Sequence, residues 1–245
     1  MTKEYRLPPF DLRLAMDTLA AKDPQLAPLI KETKEFRIET DGSDSPYEIL
    51  LEAIAYQSIS GKAAATIYGR VKALSAEGRA PTPQEMLKLR KPALRKAGLS
   101  GAKVLAMKDL AQKTIDGVVP TLEQAEKLSD EELVERLVSV RGIGAWTVEM
   151  FLIFRLGRPD VLPIHDLGVK KGWSITYGKK YMPKPKELLK FGERWRPYRT
   201  VASWYMWRAC QRAGNAAMRK IRPAQPRKRG TTKTSGRDTL RKRPR

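Results

Sequence analysis

One stretch of the chain, from Leu133 to Trp173, decides the fold and reads LVERLVSVRGIGAWTVEMFLIFRLGRPDVLPIHDLGVKKGW. Two helical patterns flank a tight turn in which Gly142 and Gly144 surround Ile143. Glycine permits backbone conformations that other residues resist, and the start of the next helix presents unpaired N–H groups that attract a phosphate. A proline turn then leads to a lone carboxylate, Asp166, just before another helix. The stretch therefore combines a backbone grip for a phosphate with one candidate catalytic acid or base.

Two glycines in a turn are also found in ordinary helix connections, so the flanking residues matter. Leu133, Leu137 and Val140 lead into the turn at helical spacing, and an amphipathic helix leads out of it. These features favour a helix-hairpin-helix, whose contact with phosphate is independent of base sequence. Arg141 either adds a positive charge at this hairpin or is a solvated surface residue.

The chain is strongly basic, with a formal net charge of +21 over 245 residues. Residues 222–245 hold ten Lys or Arg and one Asp, a net +9, so the remaining residues hold +12 (21 minus 9). A basic folded body favours a polyanionic partner. From residue 223 to residue 245 we expect a disordered basic tail, because this composition buries too little apolar surface to offset the ordering entropy.

Cysteine content and hydropathy limit the class of protein further. The single cysteine, Cys210, excludes a disulfide framework within the chain. No apolar run approaches the roughly 20 residues needed to span a bilayer, and the N-terminus lacks a signal-peptide core. We therefore expect a soluble, intracellular protein, and we expect it to be a monomer.

Helical signals run through nearly the whole chain and predict an all-α fold. Ser45 and Pro46 are typical of a helix start, and Thr82/Glu85 and Ser129/Glu132 form capping boxes. The other helices are expected at 10–21, 24–31, 101–115, 186–191 and 197–213, with a short extended piece at 36–40. A further helix is expected after a break at 57–61, with Ile67, Val71 and Leu74 on one stripe, and residues 151–156 finish the helix that follows the hairpin.

Hairpin and Asp166 together resemble the helix-hairpin-helix DNA glycosylase superfamily, most closely its 3-methyladenine DNA glycosylase II branch. The resemblance extends over about residues 24–211, through segments 46–74, 82–111 and 195–208. It implies two helical subdomains with a cleft between them, here 46–130 and 1–45 together with 131–222. The chain is similar to the compact form, without the additional N-terminal β-rich domain of larger members.

The resemblance implies a reaction: hydrolysis of the N-glycosidic bond of an alkylated purine (3-methyladenine or 7-methylguanine type) in duplex DNA during base excision repair. Asp166 matches the family's essential aspartate, which stabilises positive charge on the sugar or activates water. Those two roles stay open, and Asp166 is also a natural helix N-cap. Bifunctional members have a Schiff-base lysine where this chain has Trp146, so we expect an abasic product without strand cleavage.

The alternatives are a glycosylase for a deaminated purine or uracil, and a non-catalytic helix-hairpin-helix module that binds DNA.

The resemblance also implies a pocket for an extruded base. Aromatic faces suit the cationic base that purine alkylation creates. The pocket is expected to include Trp146, Trp207, Met150 and Tyr56, with Trp204 and Tyr205 as weaker candidates that also suit core packing. Met150 stands where some relatives have tyrosine, and Arg208 stands where an aromatic residue can occur, so we expect fewer aromatic walls than in the members of broadest specificity.

Extrusion of a base costs a few kcal/mol, and relatives insert a side chain into the gap. Gln57, Ser58 and Ile59 are the candidates for this wedge. Ser58 aligns with an apolar wedge of some relatives, while Gln57 or Ile59 can fill the gap instead. A polar helix break with no role in the duplex is the alternative.

No cofactor is expected, although hairpin carbonyls in relatives can hold a monovalent cation. The chain lacks the four cysteines of an iron–sulfur cluster, and His165 with Cys210 makes no zinc site. His165, beside Asp166, is expected at the rim of the pocket, and Lys170 and Lys171 are expected to face phosphates or solvent.

Overall fold

The computed structural model of the protein describes residues 4–6, 8–33, 36, 38–40, 45–75 and 77–224. Within these residues the fold is all-α, as predicted. Its helices are α1 (Leu12–Lys22), α2 (Ala27–Thr33), α3 (Pro46–Tyr56), α4 (Gly61–Lys72), α5 (Pro83–Lys88), α6 (Lys91–Lys96), α7 (Gly101–Ile115), α8 (Leu122–Lys127), α9 (Asp130–Val138), α10 (Ala145–Phe151), α11 (Leu167–Thr176), α12 (Pro185–Gly192) and α13 (Arg199–Lys220).

Four short elements complete this framework in the described residues. The π-helical turn Leu152–Leu156 extends α10, and the 3-10 turn Glu193–Trp195 follows α12. Strand β1 (Glu4–Arg6) pairs antiparallel with β2 (Ile38–Thr40). The second strand lies in the predicted extended piece, whereas the first was not predicted.

Local capping signals account for most of the helix starts. The side chains of Thr82 and Ser129 each accept a hydrogen bond from the third residue of their helix, and both predicted capping boxes are confirmed. A third box at Thr121 begins α8, a helix that the sequence analysis missed. Pro92 stands in the first turn of α6, and α5 and α6 are separate helices because a proline lacks the N–H that would continue the first one.

Buried apolar side chains form two clusters. The first draws on residues 47–161, and the second joins residues 15–36 to residues 162–206. The N-terminal helices therefore pack with the C-terminal ones. Leu137 and Ile143 of the hairpin belong to the first cluster, although the predicted boundary at 130/131 grouped them with the C-terminal part.

Contact between α11 and α13 sets up the candidate site. A Cβ atom added to Gly172 would lie 1.9 Å from the carbonyl oxygen of Met206, so only glycine allows this approach of the two backbones. Gly168, one turn earlier, has the side chain of Trp207 against it, 2.6 Å from the position of an added Cβ. The two glycines thus bring Trp207 close to the beginning of α11.

The end of the described chain returns to the body of the fold. The backbone of Arg222 bonds to Lys180 and Met182 at 3.0 and 2.9 Å. The predicted disordered tail, apart from Pro223 and Ala224, lies outside the described residues.

Candidate active site

The glycine hairpin joins α9 to α10 through residues 139–144. Gly142 has a φ of +79°, in the left-handed region that favours glycine, and an added Cβ would lie 3.2 Å from the Cβ of Ala106. Ile143 is buried and anchors the turn, whereas Arg141 and Gly144 are exposed. Gly144 is the N-cap of α10 and provides no side-chain cap, so the amide end of this helix faces outward. This is the geometry that suits contact with a phosphate.

Asp166 is the N-cap of α11 and is also held by two tryptophans. Its Oδ1 accepts hydrogen bonds from the backbone N–H of Val169 at 2.7 Å and from the indole Nε1 of Trp207 at 2.8 Å. Its Oδ2 accepts one from Nε1 of Trp146 at 2.8 Å. The predicted cap is therefore present. The same carboxylate is fixed by side chains from two other helices.

A cavity of about 590 Å³ lies beside this carboxylate, between α3 and the continuous helix formed by α10 and its π-helical turn. Trp146, with 48% of its surface exposed, lines the cavity and donates its indole N–H to Asp166, which is not itself a lining residue. The lining is mostly apolar; it comprises Ile49, Leu50, Ala53, Tyr56, Gln57, Ser58, Trp146, Thr147, Met150, Phe151, Phe154 and Arg155. The volume and the apolar lining are typical of a small-molecule or base pocket.

Three of the four expected pocket residues line this cavity: Trp146, Met150 and Tyr56. Trp207 does not line it. Its ring stacks on Phe154 at a centroid distance of 5.6 Å while its indole N–H is directed to Asp166. The weaker candidates Trp204 and Tyr205 are buried in the second cluster, because their positions on α13 face α1, α2 and α11 rather than the cavity.

The candidate insertion loop, residues 57–60, begins where α3 ends. Ser58 has a φ of +59°, which is uncommon for a residue with a side chain. Nε2 of Gln57 donates to the carbonyl oxygen of Gly142 at 2.8 Å, so the loop is tied to the hairpin. Ile59 keeps 40% of its surface exposed. The structure therefore ties the first of the three wedge candidates, Gln57, to the hairpin, and Ser58 and Ile59 follow it in the loop.

Glu149, on α10, was missed by the sequence analysis. Its Oε2 is buried and finds no hydrogen-bond partner in the described part of the chain. Burial, together with the negative charge of Asp166, raises the pKa of Glu149 to about 7. Two carboxyl groups thus share the site, one held by three N–H donors and the other largely desolvated. The signal in the sequence was its spacing of three residues from Trp146, which puts both on adjacent parts of one helix face.

Other candidates lie at the edge of the site. His165 is exposed beside Asp166, and no bond of its side chain to another described residue is recorded in the structure. Cys210 donates to the carbonyl oxygen of Gly168 at 3.1 Å, and burial raises the pKa of its thiol. Among the described residues, no group of three His, Cys, Asp or Glu side chains is placed to hold a metal ion. Within the same residues, no helix has the length and hydropathy of a membrane span.

Comparison with known proteins agrees with this geometry. The family model of the HhH-GPD superfamily base excision DNA repair proteins matches residues 51–197, which is more than half of the chain. The chain therefore belongs to the HhH-GPD superfamily. Because this superfamily repairs DNA, the polyanionic partner indicated by the charge is DNA.

Individual relatives indicate which branch of the superfamily the chain resembles. The chain is 41% identical over 183 residues to DNA-3-methyladenine glycosylase 1 of Schizosaccharomyces pombe, covering 75% of this chain and 78% of that protein. A structure of the S. pombe 3-methyladenine DNA glycosylase with abasic DNA has a TM-score of 0.71 and 39% identity, over 80% of this chain and 95% of that one. A DNA-3-methyladenine glycosidase from Bacillus halodurans has a TM-score of 0.73 and 32% identity, over 87% and 94% of the two chains.

Proposed function

We propose that this protein is a monofunctional DNA glycosylase that removes alkylated purines, of the 3-methyladenine or 7-methylguanine type, from duplex DNA in base excision repair. One observation carries the proposal: Asp166 is fixed by the indoles of Trp146 and Trp207 at the edge of an apolar cavity beside the glycine hairpin. The names of the relatives support the class of base.

In this mechanism the C1′–N bond breaks and its electron pair leaves with the base, so positive charge develops on the sugar. The carboxylate of Asp166 stabilises that charge, and water then adds to C1′ and loses one proton to the surrounding solvent. Preorganised groups cost no reorganisation when charge develops, which is why their fixed position matters. Trp146, Trp207 and the N–H of Val169 supply that fixation for Asp166.

An alkylated purine is cationic, and this charge makes it a good leaving group. The same charge is what suits the base to this pocket. Trp146 and Tyr56 offer aromatic faces to it, and Met150 and Phe154 add apolar, polarisable walls. Trp207 supports this pocket indirectly. Its ring stacks on Phe154, which lines the cavity, and its indole N–H donates to Asp166.

Strand cleavage is not part of the proposed reaction. Trp146 has no amine with which to attack the sugar, and its N–H is already engaged by Asp166. An abasic site is therefore the expected product.

The grip on DNA comes from the hairpin, where Gly142 and Gly144 present backbone N–H groups to a phosphate and Arg141 adds charge. The buried Ile143 anchors the turn, and its own N–H donates to the carbonyl oxygen of Val140 at 3.0 Å. We assign the wedge to Ile59, because this apolar side chain is exposed while Gln57 is bonded to Gly142. Ser58 then supplies the turn that presents it.

A monovalent cation at the hairpin stays a proposal. The carbonyls of Gly142 and Ser139 already accept hydrogen bonds from Gln57 and Lys113, so an ion would use other carbonyls of the turn. We further propose that the protein acts as a monomer on DNA containing damaged bases, inside the cell.

Base release from methylated duplex DNA tests the proposal. The wild type is expected to release methylpurines and to leave sites that break only after hot alkali. Release of no methylpurine would remove the alkylpurine assignment, and a panel of oligonucleotides with deaminated bases or uracil then identifies another substrate. Strand breaks that form without alkali would contradict the monofunctional assignment.

A further inference from the structure

One helix, α7, holds both of the loops that the proposed function brings to DNA: the insertion loop (residues 57–60) and the hairpin turn (residues 141–144). The contacts come from Lys103, Ala106, Asp109 and Lys113. These residues are spaced three, three and four apart, so they follow one face of the helix.

At the insertion loop the contact is made by Lys103. Its Nζ donates to the carbonyl oxygens of Ala55 and Gln57, both at 2.8 Å. The final carbonyls of a helix lack intrahelical partners, and a positive charge at that end is favourable. Burial lowers the pKa of the partly buried Lys103. The bonds fix the end of α3 immediately before the left-handed Ser58.

At the hairpin the contacts come from the next turns of α7. Oδ2 of Asp109 accepts from the backbone N–H of Arg141 at 2.7 Å. Lys113 pairs with Asp109 at 3.2 Å and donates to the carbonyl of Ser139. Ala106 packs so closely on Gly142 that an added Cβ would meet it at 3.2 Å.

We propose that α7 is a rigid template which fixes the insertion loop relative to the hairpin, and that Lys103 is a positioning residue for base extrusion. The inference rests on the proposed function, because that function assigns these loops to DNA. Lys103 and Asp109 are six residues apart, or about 9 Å along the helix. Once a phosphate is bound at the hairpin, this spacing fixes the position at which the insertion loop meets the duplex. Without Lys103, the loop must be ordered during extrusion, which adds an entropic cost to that step.

Lys103→Met is the test, and α7 offers a matched control in Lys108→Met. Lys108 is also partly buried and donates to three helix-terminal carbonyls, those of Met86, Leu87 and Leu89, at 2.7–3.1 Å. Burial lowers its pKa as well. Lys108 holds the end of α5, so its loss is expected to affect folding stability without affecting extrusion.

We expect Lys103→Met to slow single-turnover release of a paired alkylpurine about tenfold. This is the effect of removing roughly one hydrogen bond's net contribution from the rate-limiting transition state. Lys108→Met is expected to change it less than about twofold, and Lys103→Arg to restore most of the rate. When the lesion sits in a mismatch, extrusion is easier. The defect of Lys103→Met should therefore shrink there, which a loss of folded protein would not produce.

Fluorescence of 2-aminopurine beside the lesion reports extrusion without any chemistry, so it separates the two proposals. Wild type that extrudes the base but releases none would overturn the proposed function and leave the template testable by the same signal. Equal defects in Lys103→Met and Lys108→Met, a defect that is unchanged in a mismatch, or wild type that extrudes nothing would each overturn the template.

Discussion

Glu149→Gln should make the protein more stable at alkaline pH while leaving its stability at acidic pH nearly unchanged. The pKa of Glu149 is raised from 4.5 to about 7 in the folded protein by burial and by the charge of Asp166. Below pH 4.5 the carboxyl is protonated in both the folded and the unfolded chain, so it contributes no pH dependence. Between pH 4.5 and 7 the folded state keeps a proton that the unfolded state loses, and stability falls as pH rises. Above pH 7 the loss is complete.

The size of the effect follows from the pKa shift. One pKa unit corresponds to about 1.36 kcal/mol, so the shift sets an upper limit of about 3 kcal/mol. Glu149 is not fully buried, and solvent screens part of the penalty. We therefore expect Glu149→Gln to gain about 1–3 kcal/mol at pH 9 and close to nothing at pH 4.

Urea unfolding of both proteins at a series of pH values from 4 to 9 measures this difference, because other titrating groups cancel between the two curves. Glu135→Gln, at an exposed position on α9, serves as the control and should stay within about 0.5 kcal/mol of wild type throughout. A difference between Glu149→Gln and wild type that is constant with pH, or that favours wild type at pH 9, would refute the account of Glu149.

Two further substitutions test the packing around the site. Gly172→Ala would place a Cβ atom 1.9 Å from the carbonyl oxygen of Met206, so we expect a loss of about 3 kcal/mol or more in urea unfolding, against little change for Gly101→Ala, where the space is open. Asp23→Asn disturbs a buried carboxylate that accepts a 2.6 Å bond from Tyr177, and should cost about 1–3 kcal/mol. Asp23 bonds to Tyr177 and Trp195, neither of which lines the cavity or bonds to Asp166, so the folded fraction of the Asp23→Asn variant should release bases at the wild-type rate. A rate defect larger than the loss of folded protein would show that Asp23 also affects the candidate site.

The parts of the fold that could be predicted from sequence are those set by neighbours along the chain. The hairpin is predicted by Gly142 and Gly144 between two apolar patterns. The capping boxes at Thr82 and Ser129 each span only four consecutive residues and mark the start of a helix. Asp166 was recognised as a cap for the same local reason. Their positions needed no knowledge of tertiary contacts.

The parts that escaped prediction depend on contacts between distant residues. The bond from Trp207 to Asp166 spans 41 positions and exists because Gly168 and Gly172 let α13 approach α11. The spacing of those glycines, four residues apart in a helix, was a readable sign of close packing. Glu149 was missed because its spacing from Trp146 places it on one face of α10 but does not show that its carboxyl group is buried.

The central claim is that Asp166 acts on the sugar of an extruded nucleotide, and Asp166→Asn tests it most directly. Single-turnover base release on a methylated duplex should fall by at least about 100-fold, the usual scale for a positioned catalytic carboxylate. Affinity for the same duplex should stay within a few-fold of wild type, because in the proposed function the hairpin supplies the grip on DNA. Base release at the wild-type rate by folded Asp166→Asn protein would contradict the account.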